Sequence, residues 1–378
     1  MILCEHGPGG RPALFDGAAE VVVARAGAEV APALRRLDAT RAAGAWIAGW
    51  IAYEAGLALE PRLAPLLPAE PGDPLLAFGI YDAPRDPAPV LDVAPAEVRL
   101  SPLRPLVGRD AYEAAFDRVR DYVAAGDCYQ VNLTFPIATR LLAGSPLDLW
   151  RRLRAVQPVG FSAYADLGAG PVVVSCSPEL FFRLEPDGRI EARPMKGTAP
   201  RDPDPARDAA LAAALAASVK DRAENLMIVD LLRNDIARIA RIGSVRVPDL
   251  FAVESFATVH QMTSRVTGRL AAPAGLAGLM AALFPCGSVT GAPKIRAMEI
   301  IHEVEPFRRG VYCGSLGWMA PDGAACFSVA IRTLSVRGSE ATLNVGGAVT
   351  YDSTAEGEWE EALWKARYAA GLTTPDCG

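Results

Sequence analysis

The alternation of apolar and polar residues is clearest in the stretch CYQVNLTF. Apolar side chains occupy the odd positions from Tyr129 to Phe135, and uncharged polar side chains occupy Gln130, Asn132 and Thr134. A period of two is typical of a β-strand with one face on a core. The polar face indicates contact either with solvent or with the wall of a cavity.

A helical period replaces this alternation in RDAYEAAFDRVRDYVAAG. Phe116, Val119 and Val123 fall on one face of the predicted helix, and Gly126 ends it. The apolar face predicts that this helix packs on a core.

The C-terminal part of the chain predicts strands over residues 311–320, 325–336 and 341–350, followed by a helix over residues 355–370. The turn residues PDG and RGS separate the strands, which favours an antiparallel meander. A Ser-Thr pair caps the helix, and Gly371 ends it.

Strand runs and helix runs are separated along the chain, without alternation of single strands and helices. That order predicts an α+β fold with large, mainly antiparallel sheets. A proline-rich stretch over residues 83–108 predicts an extended connector between the N-terminal part and the remainder.

Composition limits the class of protein. The 378 residues are 51% hydrophobic and 22% charged, which is typical of a globular protein. The net charge of -6 argues against a general binder of nucleic acid or anionic membranes. The seven cysteines include no C-x-x-C pair, and no uncharged apolar run reaches the roughly 18 residues of a membrane span. We therefore expect a protein of the reducing cytoplasm.

Carboxylates interrupt the apolar stripes of two predicted helices. In ENLMIVDLLRND, Glu224 shares a stripe with Ile228. In GEWEEALWKARY, Glu358, Glu361 and Lys365 share another. Acids from two helices suit a hard cation such as Mg²⁺, which takes oxygen ligands. The alternatives are a locally bonded carboxylate at a helix edge and a solvated surface ion pair.

A glycine-rich loop, CGSVTGAPK, leads into a helix near Pro293. Its free N–H groups at a helix N-terminus predict an anion site that takes a carboxylate as readily as a phosphate. The spacing is not that of a P-loop, and an ordinary glycine-rich loop is the alternative.

In ACFSVAIRTLSV, strand alternation places Arg332 on the same face as Ser328 and Ala330. An arginine above small residues leaves room for a planar carboxylate partner. An internal salt bridge is the alternative.

Lys196 lies in ARPMKGTAPR, in a predicted turn between Pro194 and Pro200. A lysine with a pKa near 10.4 is almost fully charged at neutral pH, so a nucleophilic lysine must be desolvated or lie near another positive charge. The stiff turn favours a positioned nucleophile. A solvated surface lysine is the alternative.

Taken in order, these stretches resemble the family of chorismate-utilising enzymes, and the likeness runs from about Asp110 to Tyr368. The stretches that carry it are GDCYQVNLT, SPELFF, RPMKGTAPR, ENLMIVDLLRND, VHQMTSRVTG, GSVTGAPK, YCGSLGW, VAIRT and GGAVTYDS followed by GEWEEALWKA. The resemblance implies an anthranilate-synthase-like sandwich of two large sheets with helices packed outside. It also implies that residues 1–105 are the variable N-terminal part and residues 106–378 the catalytic region, in one intertwined domain.

The residue at the position of Lys196 separates activities in this family. Enzymes of the anthranilate and isochorismate type usually carry alanine there, whereas the branch that forms 4-amino-4-deoxychorismate carries lysine in P-x-K-G-T. The resemblance therefore implies that Lys196 attacks C2 of chorismate, that ammonia then attacks C4, and that Glu179 is the general acid. It implies Mg²⁺ as cofactor, with Glu224 and Glu361 as ligands and Glu358 nearby.

The resemblance also implies residues that hold the substrate. Arg332 and Tyr312 would bind the enolpyruvyl carboxylate, helped by backbone N–H groups near Gly346 and Gly347. Thr290 and Gly291 would lie beside the ring carboxylate. Lys365 would lower the pKa of Lys196, and Gln130 stands where isochorismate-forming relatives carry a lysine that activates water.

Ammonia must reach the site, and the sequence contains no G-x-C-x-G elbow of a glutamine amidotransferase. We therefore expect a separate glutamine amidotransferase subunit as partner. The resemblance implies a product that leads toward 4-aminobenzoate and folate, and an aminochorismate-derived natural product is the alternative. Two alternatives stay open at this point: component I of an anthranilate synthase, and a non-catalytic subunit that binds chorismate.

Overall fold

The chain folds into two large antiparallel β-sheets with helices packed on them. This computed structural model describes residues 1–67, 72–256 and 259–374. Each sheet contains ten strands. The predicted α+β fold is confirmed. Cys377, one of the cysteines counted above, lies outside the described residues.

The helices and strands follow one another along the described ranges. The α-helices are α1 Gly27–Ala42, α2 Ala55–Leu59, α3 Ala88–Leu91, α4 Arg109–Ala124, α5 Pro146–Val156, α6 Pro205–Ala217, α7 Val219–Ala237, α8 Leu276–Leu283, α9 Lys294–Val304 and α10 Ala355–Ala370. The strands are β1 Ile2–Cys4, β2 Ala13–Phe15, β3 Glu20–Ala24, β4 Trp46–Ile51, β5 Leu76–Tyr81, β6 Arg99–Leu100, β7 Arg104–Pro105, β8 Gln130–Ala143, β9 Phe161–Ala165, β10 Val172–Ser177, β11 Leu180–Leu184, β12 Arg189–Arg193, β13 Met195–Pro200, β14 Arg246–Ser255, β15 Val259–Arg269, β16 Gly291–Ala292, β17 Ser315–Met319, β18 Ala325–Val329, β19 Thr333–Arg337 and β20 Glu340–Val349.

Strands from the N-terminal part join both sheets. The first sheet has the order β16-β8-β20-β19-β10-β9-β1-β2, with β6 and β7 also paired to β8. The second has the order β13-β15-β12-β11-β18-β17-β4-β5-β3, with β14 paired to β15. β1 pairs with β9, and β4 pairs with β17. Residues 1–105 and the described residues from 106 onward thus contribute strands to both sheets.

Alternate residues of a single strand pack in two separate cores. In β4, Ile47 and Ile51 belong to the larger core, which also takes in residues of α1. Trp50 belongs to a second core together with Phe15 and Val173, which lie on strands of the first sheet. This second core therefore lies between the sheets. Burial on both faces explains why WIAGWI is apolar throughout.

Both helices predicted from periodicity are confirmed. α4 spans Arg109–Ala124, and Gly126 follows with a φ of +82°, a left-handed conformation that favours glycine. α10 spans Ala355–Ala370, and the hydroxyl oxygen of Thr354 accepts a hydrogen bond from the Gly357 N–H at its start. The periodicity of these segments therefore identified their structure.

The proline-rich connector is partly built into the fold. It contains the short helix α3 and two strands of two residues, β6 and β7, which add to β8. An extended segment rich in proline can join the edge of a sheet even where it cannot run inside one.

The predicted meander near the C-terminus is wrong. Residues 325–336 do not form one strand: β18 pairs with β11 and β17 in the second sheet, and β19 pairs with β10 and β20 in the first. Residues 330–332 carry the chain from one sheet to the other, and Arg332 has a φ of +49°. The apolar run hides this crossing because both strands are buried.

Candidate active site

A cavity of about 520 Å³ lies where the chain crosses between the sheets. Its walls come from β13, β20, the beginning of α7, one face of α10, the β10–β11 connection and the β18–β19 connection. Nine of the residues singled out in the sequence line this one cavity: Glu179, Lys196, Glu224, Tyr312, Arg332, Gly346, Glu358, Glu361 and Lys365.

The cavity exists because β20 is longer than its neighbour β19. β8 pairs with β20 as far as Val349, whereas β19 pairs with β20 only from Glu340 to Leu343. From Asn344 onward, no strand of the described residues pairs with β20 on the side of β19. Asn344 and Gly346 lie along this free stretch and line the cavity.

Lys196 lies on a bulged strand rather than in the predicted turn. β13 pairs with β15, and the register shifts between Met195 and Thr198. Gly197 has a φ of +84°, and a Cβ there would lie 2.8 Å from the Asp221 carboxylate. The bulge directs Lys196 into the cavity, and only glycine fits beside it.

The cavity lowers the pKa of the Lys196 ammonium below its ordinary value. Burial is the largest cause, and the neighbouring Lys365 charge acts in the same direction. The carboxylates of Glu224, Glu361 and Glu179 oppose the shift. Burial and a second cation are the two conditions that a nucleophilic lysine requires.

Glu179 lies between β10 of the first sheet and β11 of the second, and is only 4% exposed. Burial raises the pKa of its carboxyl to about 7, while a hydrogen bond with Ser288 and the Lys196 charge act in the opposite direction. Its Oε1 atom has no hydrogen-bond partner among the described residues. A carboxyl that still holds its proton near neutral pH is suited to donate it.

Two carboxylates from α10 lie side by side at one end of the cavity. The Ser353 hydroxyl donates to Glu358 Oε1 at 2.7 Å, and burial raises the pKa of Glu358. A Cβ on Gly347 would lie 2.3 Å from Glu358 Oε2 and 3.9 Å from Glu361 Oε1. The absence of a side chain at Gly347 therefore leaves room for both carboxylates.

Lysines balance the remaining acids. The ammonium of Lys365 lies 2.7 Å from Glu361 Oε1 and donates to the Gly346 carbonyl oxygen at 2.8 Å. Burial is the largest single cause and by itself would raise the pKa of Glu361. The ion pair and hydrogen bond with Lys365, together with the charges of Lys196 and Lys220, outweigh it and lower the pKa. Glu224, on α7, lies 3.9 Å from the ammonium of Lys220.

The acids offer a set of oxygen donors that fits a hard cation. Within the described ranges, no three His, Cys, Asp or Glu side chains are already grouped to hold a metal ion. Glu358 Oε2, however, is buried without a hydrogen-bond partner among these residues. Glu361 and Glu224 are instead paired with Lys365 and Lys220.

Arg332 lies in the connection between β18 and β19. The strand alternation predicted for it is wrong, because its positive φ interrupts the extended backbone. No carboxylate of the described residues forms an ion pair with it, so the internal salt bridge is excluded within those residues. Burial lowers the pKa of its guanidinium. Tyr312 lies on the same cavity wall. A buried cation without a protein anion is suited to bind an anionic ligand.

The remaining four predicted residues are not in the lining. Thr290 and Gly291 follow Val289, which lines the cavity, and Gly347 lies between the lining residues Gly346 and Ala348.

Gln130, two residues before Asn132, is fully buried and both of its amide atoms lack a partner among the described residues. It pairs through its backbone with Ala292 of β16.

Lys294, the lysine that follows the glycine-rich loop, forms an internal ion pair. The ammonium of Lys294 lies 2.7 Å from Asp235 and donates to the Leu283 carbonyl oxygen at 2.8 Å, away from the cavity lining. Of the loop itself, Ser288 and Val289 reach the cavity.

Gln261 and Tyr368 are among the lining residues that the sequence analysis did not single out. Gln261 lies on β15 next to the Lys196 bulge, and no local pattern distinguishes it from other strand residues. Tyr368 follows Lys365 at a spacing of three on α10, so extending the stripe of Glu358, Glu361 and Lys365 by one member would have found it.

No helix in the described ranges is both long and apolar enough to cross a membrane.

Comparison with known sequences gives one family. The profile of a family described as chorismate binding enzyme matches residues 3–371. The chain is 47% identical over 258 residues to the aminodeoxychorismate synthase of Streptomyces pristinaespiralis, which covers 68% of this chain and 35% of that protein.

Two further relatives are named for different activities. Identity is 47% over 259 residues with aminodeoxychorismate synthase component 1 of Klebsiella aerogenes, covering 68% of this chain and 57% of that protein. It is 43% over 251 residues with anthranilate synthase component 1 of Streptomyces coelicolor, covering 66% and 48%. The matched part thus spans between 35% and 57% of the length of these relatives.

Solved structures support the fold. Anthranilate synthase component I of Streptococcus pneumoniae superposes with a TM-score of 0.73 at 27% identity, covering 86% of this chain and 80% of that one. The menaquinone-specific isochorismate synthase of Escherichia coli superposes with a TM-score of 0.73 at 18% identity, covering 98% and 87%. The second likeness supports the architecture alone. The predicted anthranilate-synthase-like sandwich is confirmed.

Proposed function

The chain belongs to the chorismate-binding enzyme family, and we propose that it converts chorismate and ammonia to 4-amino-4-deoxychorismate. The observation that carries the proposal is the position of Lys196. Its amine lies in the cavity with a lowered pKa, together with Glu179 and the acids of α7 and α10. The relatives named as aminodeoxychorismate synthases support the same reaction.

In the first step the uncharged amine of Lys196 attacks C2 of chorismate. The C1–C2 double bond moves to C1–C6, the C5–C6 double bond moves to C4–C5, and the C4–O bond breaks. Glu179 gives its proton to the departing hydroxyl, which leaves as water. The raised pKa of Glu179 supports this role, because the carboxyl still holds a proton near neutral pH.

In the second step ammonia attacks C4. Both double bonds return to their first positions, and the bond between C2 and the nitrogen of Lys196 breaks. The ammonium formed at C4 gives a proton back to Glu179. Lys196, which carries a positive charge while it is bound at C2, leaves as the uncharged amine with which it began. The net reaction exchanges a hydroxyl for an amino group and releases water.

Glu224, Glu358 and Glu361 are the residues that would hold Mg²⁺. Bound there, the ion would neutralise the ring carboxylate of chorismate and fix the ring in the cavity. The buried, unpartnered Oε2 atom of Glu358 supports this assignment. Arg332 and Tyr312, on another wall, would bind the enolpyruvyl carboxylate.

Ammonia would come from a partner glutamine amidotransferase subunit. The name of the Klebsiella aerogenes relative, component 1, supports a second component in that protein. The buried cysteines at positions 4, 128, 176, 286, 313 and 326 are unpaired, which supports a reducing compartment such as the cytoplasm.

The reaction is tested by product identification. The purified chain is incubated with chorismate, Mg²⁺ and ammonium salt at mildly alkaline pH, and the products are separated and identified by mass spectrometry. We expect 4-amino-4-deoxychorismate. Anthranilate as the main product would exclude the proposed reaction, and unchanged chorismate would favour a binding subunit.

The covalent step has its own test. Without ammonia, intact-protein mass spectrometry should find the chain heavier by chorismate less one water. Lys196→Ala should lose this adduct and lower turnover on the order of 10⁴-fold, while chorismate still binds. Lys196→Arg is the matched control, because it keeps the positive charge without a nucleophilic amine. An adduct or full turnover in either variant would remove Lys196 from the mechanism.

A further inference from the structure

The stripe of α10 that faces the cavity does not end at Lys365. Glu358, Glu361, Lys365 and Tyr368 follow at spacings of three and four, and all of them line the cavity. At a rise of about 1.5 Å per residue, Tyr368 lies about 15 Å along the helix axis from Glu358. Tyr368 thus lies toward the end of the cavity away from Glu358.

The hydroxyl of Tyr368 is excluded from solvent and has no hydrogen-bond partner within the described ranges. A buried hydroxyl left in this state is unfavourable unless a ligand or an ordered water completes it. Burial raises the pKa of Tyr368 well above its ordinary value. The phenol therefore keeps its proton at any working pH and is available as a donor.

Tyr368 is a near neighbour of Arg332. Burial is the largest cause of the lowered pKa of Arg332, and Tyr368 is the first of the neighbours that act in the opposite direction. Both side chains line the same cavity. A guanidinium without an ion pair in the described chain and a phenol without an acceptor there together form a site for one carboxylate.

We propose that Tyr368 donates a hydrogen bond to the same substrate carboxylate that Arg332 binds. The inference rests on the proposed function, and it makes Tyr368 a specificity-determining residue for the three-carbon side chain of the substrate. Ligands with a carboxylate on that side chain gain the hydrogen bond. Ligands with only the ring carboxylate do not.

Other buried tyrosines show that an unpartnered hydroxyl alone does not identify the site. The hydroxyls of Tyr53, Tyr81 and Tyr112 also lack a partner among the described residues, but none of the three lines the cavity. Tyr81 packs in the core between the sheets. Tyr81→Phe therefore removes a comparable hydroxyl at a position outside the site and is the control.

Steady-state kinetics give the first test. Tyr368→Phe keeps the ring, so we expect an unchanged thermal midpoint and a kcat within about twofold of the wild type. KM for chorismate should rise about tenfold or more, the effect of losing a hydrogen bond to a charged group. Tyr81→Phe should leave both constants unchanged. An unchanged KM in Tyr368→Phe would overturn the proposal.

A calorimetric comparison gives the second test and does not depend on turnover. Two benzoate inhibitors are used, one with a lactate ether at C3 and one with a methyl ether there. Tyr368→Phe should weaken the first about tenfold or more and leave the second unchanged. Equal loss for both would overturn the proposal. A wild-type chain that binds chorismate without forming aminated product would contradict the reaction, and calorimetry would still decide the role of Tyr368.

Discussion

The side-chain nitrogen of Gln261 donates a 2.8 Å hydrogen bond to the carbonyl oxygen of Gly197. Its side-chain oxygen accepts a 2.9 Å hydrogen bond from the hydroxyl of Thr198. One amide thus holds the two residues that follow Lys196, at the bulge where β13 loses its regular pairing. Gln261 is therefore a positioning residue for the amine.

Replacing Gln261 with leucine should lower the rate of adduct formation on Lys196 about tenfold or more. The change removes both hydrogen bonds, and a shift of about 1 Å in a reacting group is sufficient for such a loss. Rapid mixing without ammonia and intact mass spectrometry measure the rate. Chorismate affinity should stay within about twofold, because the anchors are on other walls. Gln157→Leu, at the residue that follows α5, is the matched control, and equal rates in both variants would exclude the positioning role.

The rate of adduct formation should depend on pH with a maximum. Glu179 must be protonated to act as an acid, so the rate of adduct formation should fall as pH rises above about 7, the value to which burial raises its pKa. Lys196 must be uncharged, so the rate should also fall as pH decreases through its lowered pKa. Measurements are made without ammonia, whose own protonation would otherwise alter the profile.

Glu179→Gln keeps the shape of the side chain and removes its proton. We expect the rate of adduct formation to be lower by about 10²-fold or more. The decrease in rate above about pH 7 should also disappear, because the variant has no carboxyl at this position to lose its proton. An alkaline decrease that persists in the variant would assign it to another group.

The Mg²⁺ concentration that the reaction requires should depend on Gly347, although glycine has no side chain to bind the ion. In Gly347→Ala the new Cβ would lie 2.3 Å from Glu358 Oε2, so the carboxylate must move. We expect the concentration of Mg²⁺ for half-maximal rate to rise about tenfold or more, as for residues that position metal ligands. Glu358→Gln should have the same direction of effect. Unchanged dependence in both variants would place the metal elsewhere.

Lys294→Met should destabilise the fold without touching the cavity. Asp235 is buried beside Lys294 at 2.7 Å, and its pKa is raised by burial even with that partner. Removing the ammonium should cost about 3 kcal/mol in the free energy of unfolding at neutral pH. The loss should shrink as pH falls and Asp235 takes up a proton. Urea unfolding measures it, and Asp235→Leu combined with Lys294→Met should recover most of the stability.

Local periodicity predicted those helices and strands whose structure is determined mainly by residues within the same segment. α10 needs only its apolar stripe and its cap, and β8 needs only its alternation. The same periodicity placed Glu358, Glu361 and Lys365 on one face of α10. The resemblance to a known family then connected them with Lys196 and Glu179, which are distant in the sequence.

Local patterns failed where distant segments decide the structure. Arg332 lies in an apolar run that continues on both sides, so nothing local marks the change of sheet or the positive φ. The predicted turn at Lys196 is a bulge because β15 pairs with that segment. The contribution of Gln261 likewise depends on a strand more than sixty residues away.

The β10–β11 and β18–β19 connections, which both cross from one sheet to the other, are hydrogen-bonded to each other. The Cys176 N–H donates to the Arg332 carbonyl oxygen at 3.0 Å, and the Val329 N–H donates to the Glu179 carbonyl oxygen at 3.1 Å. Each connection joins both sheets, so a small displacement of one sheet relative to the other would move Glu179 and Arg332 together. The main chain therefore fixes the separation between Glu179 and Arg332. Changes in the surrounding cavity walls can alter which molecule enters without altering that separation.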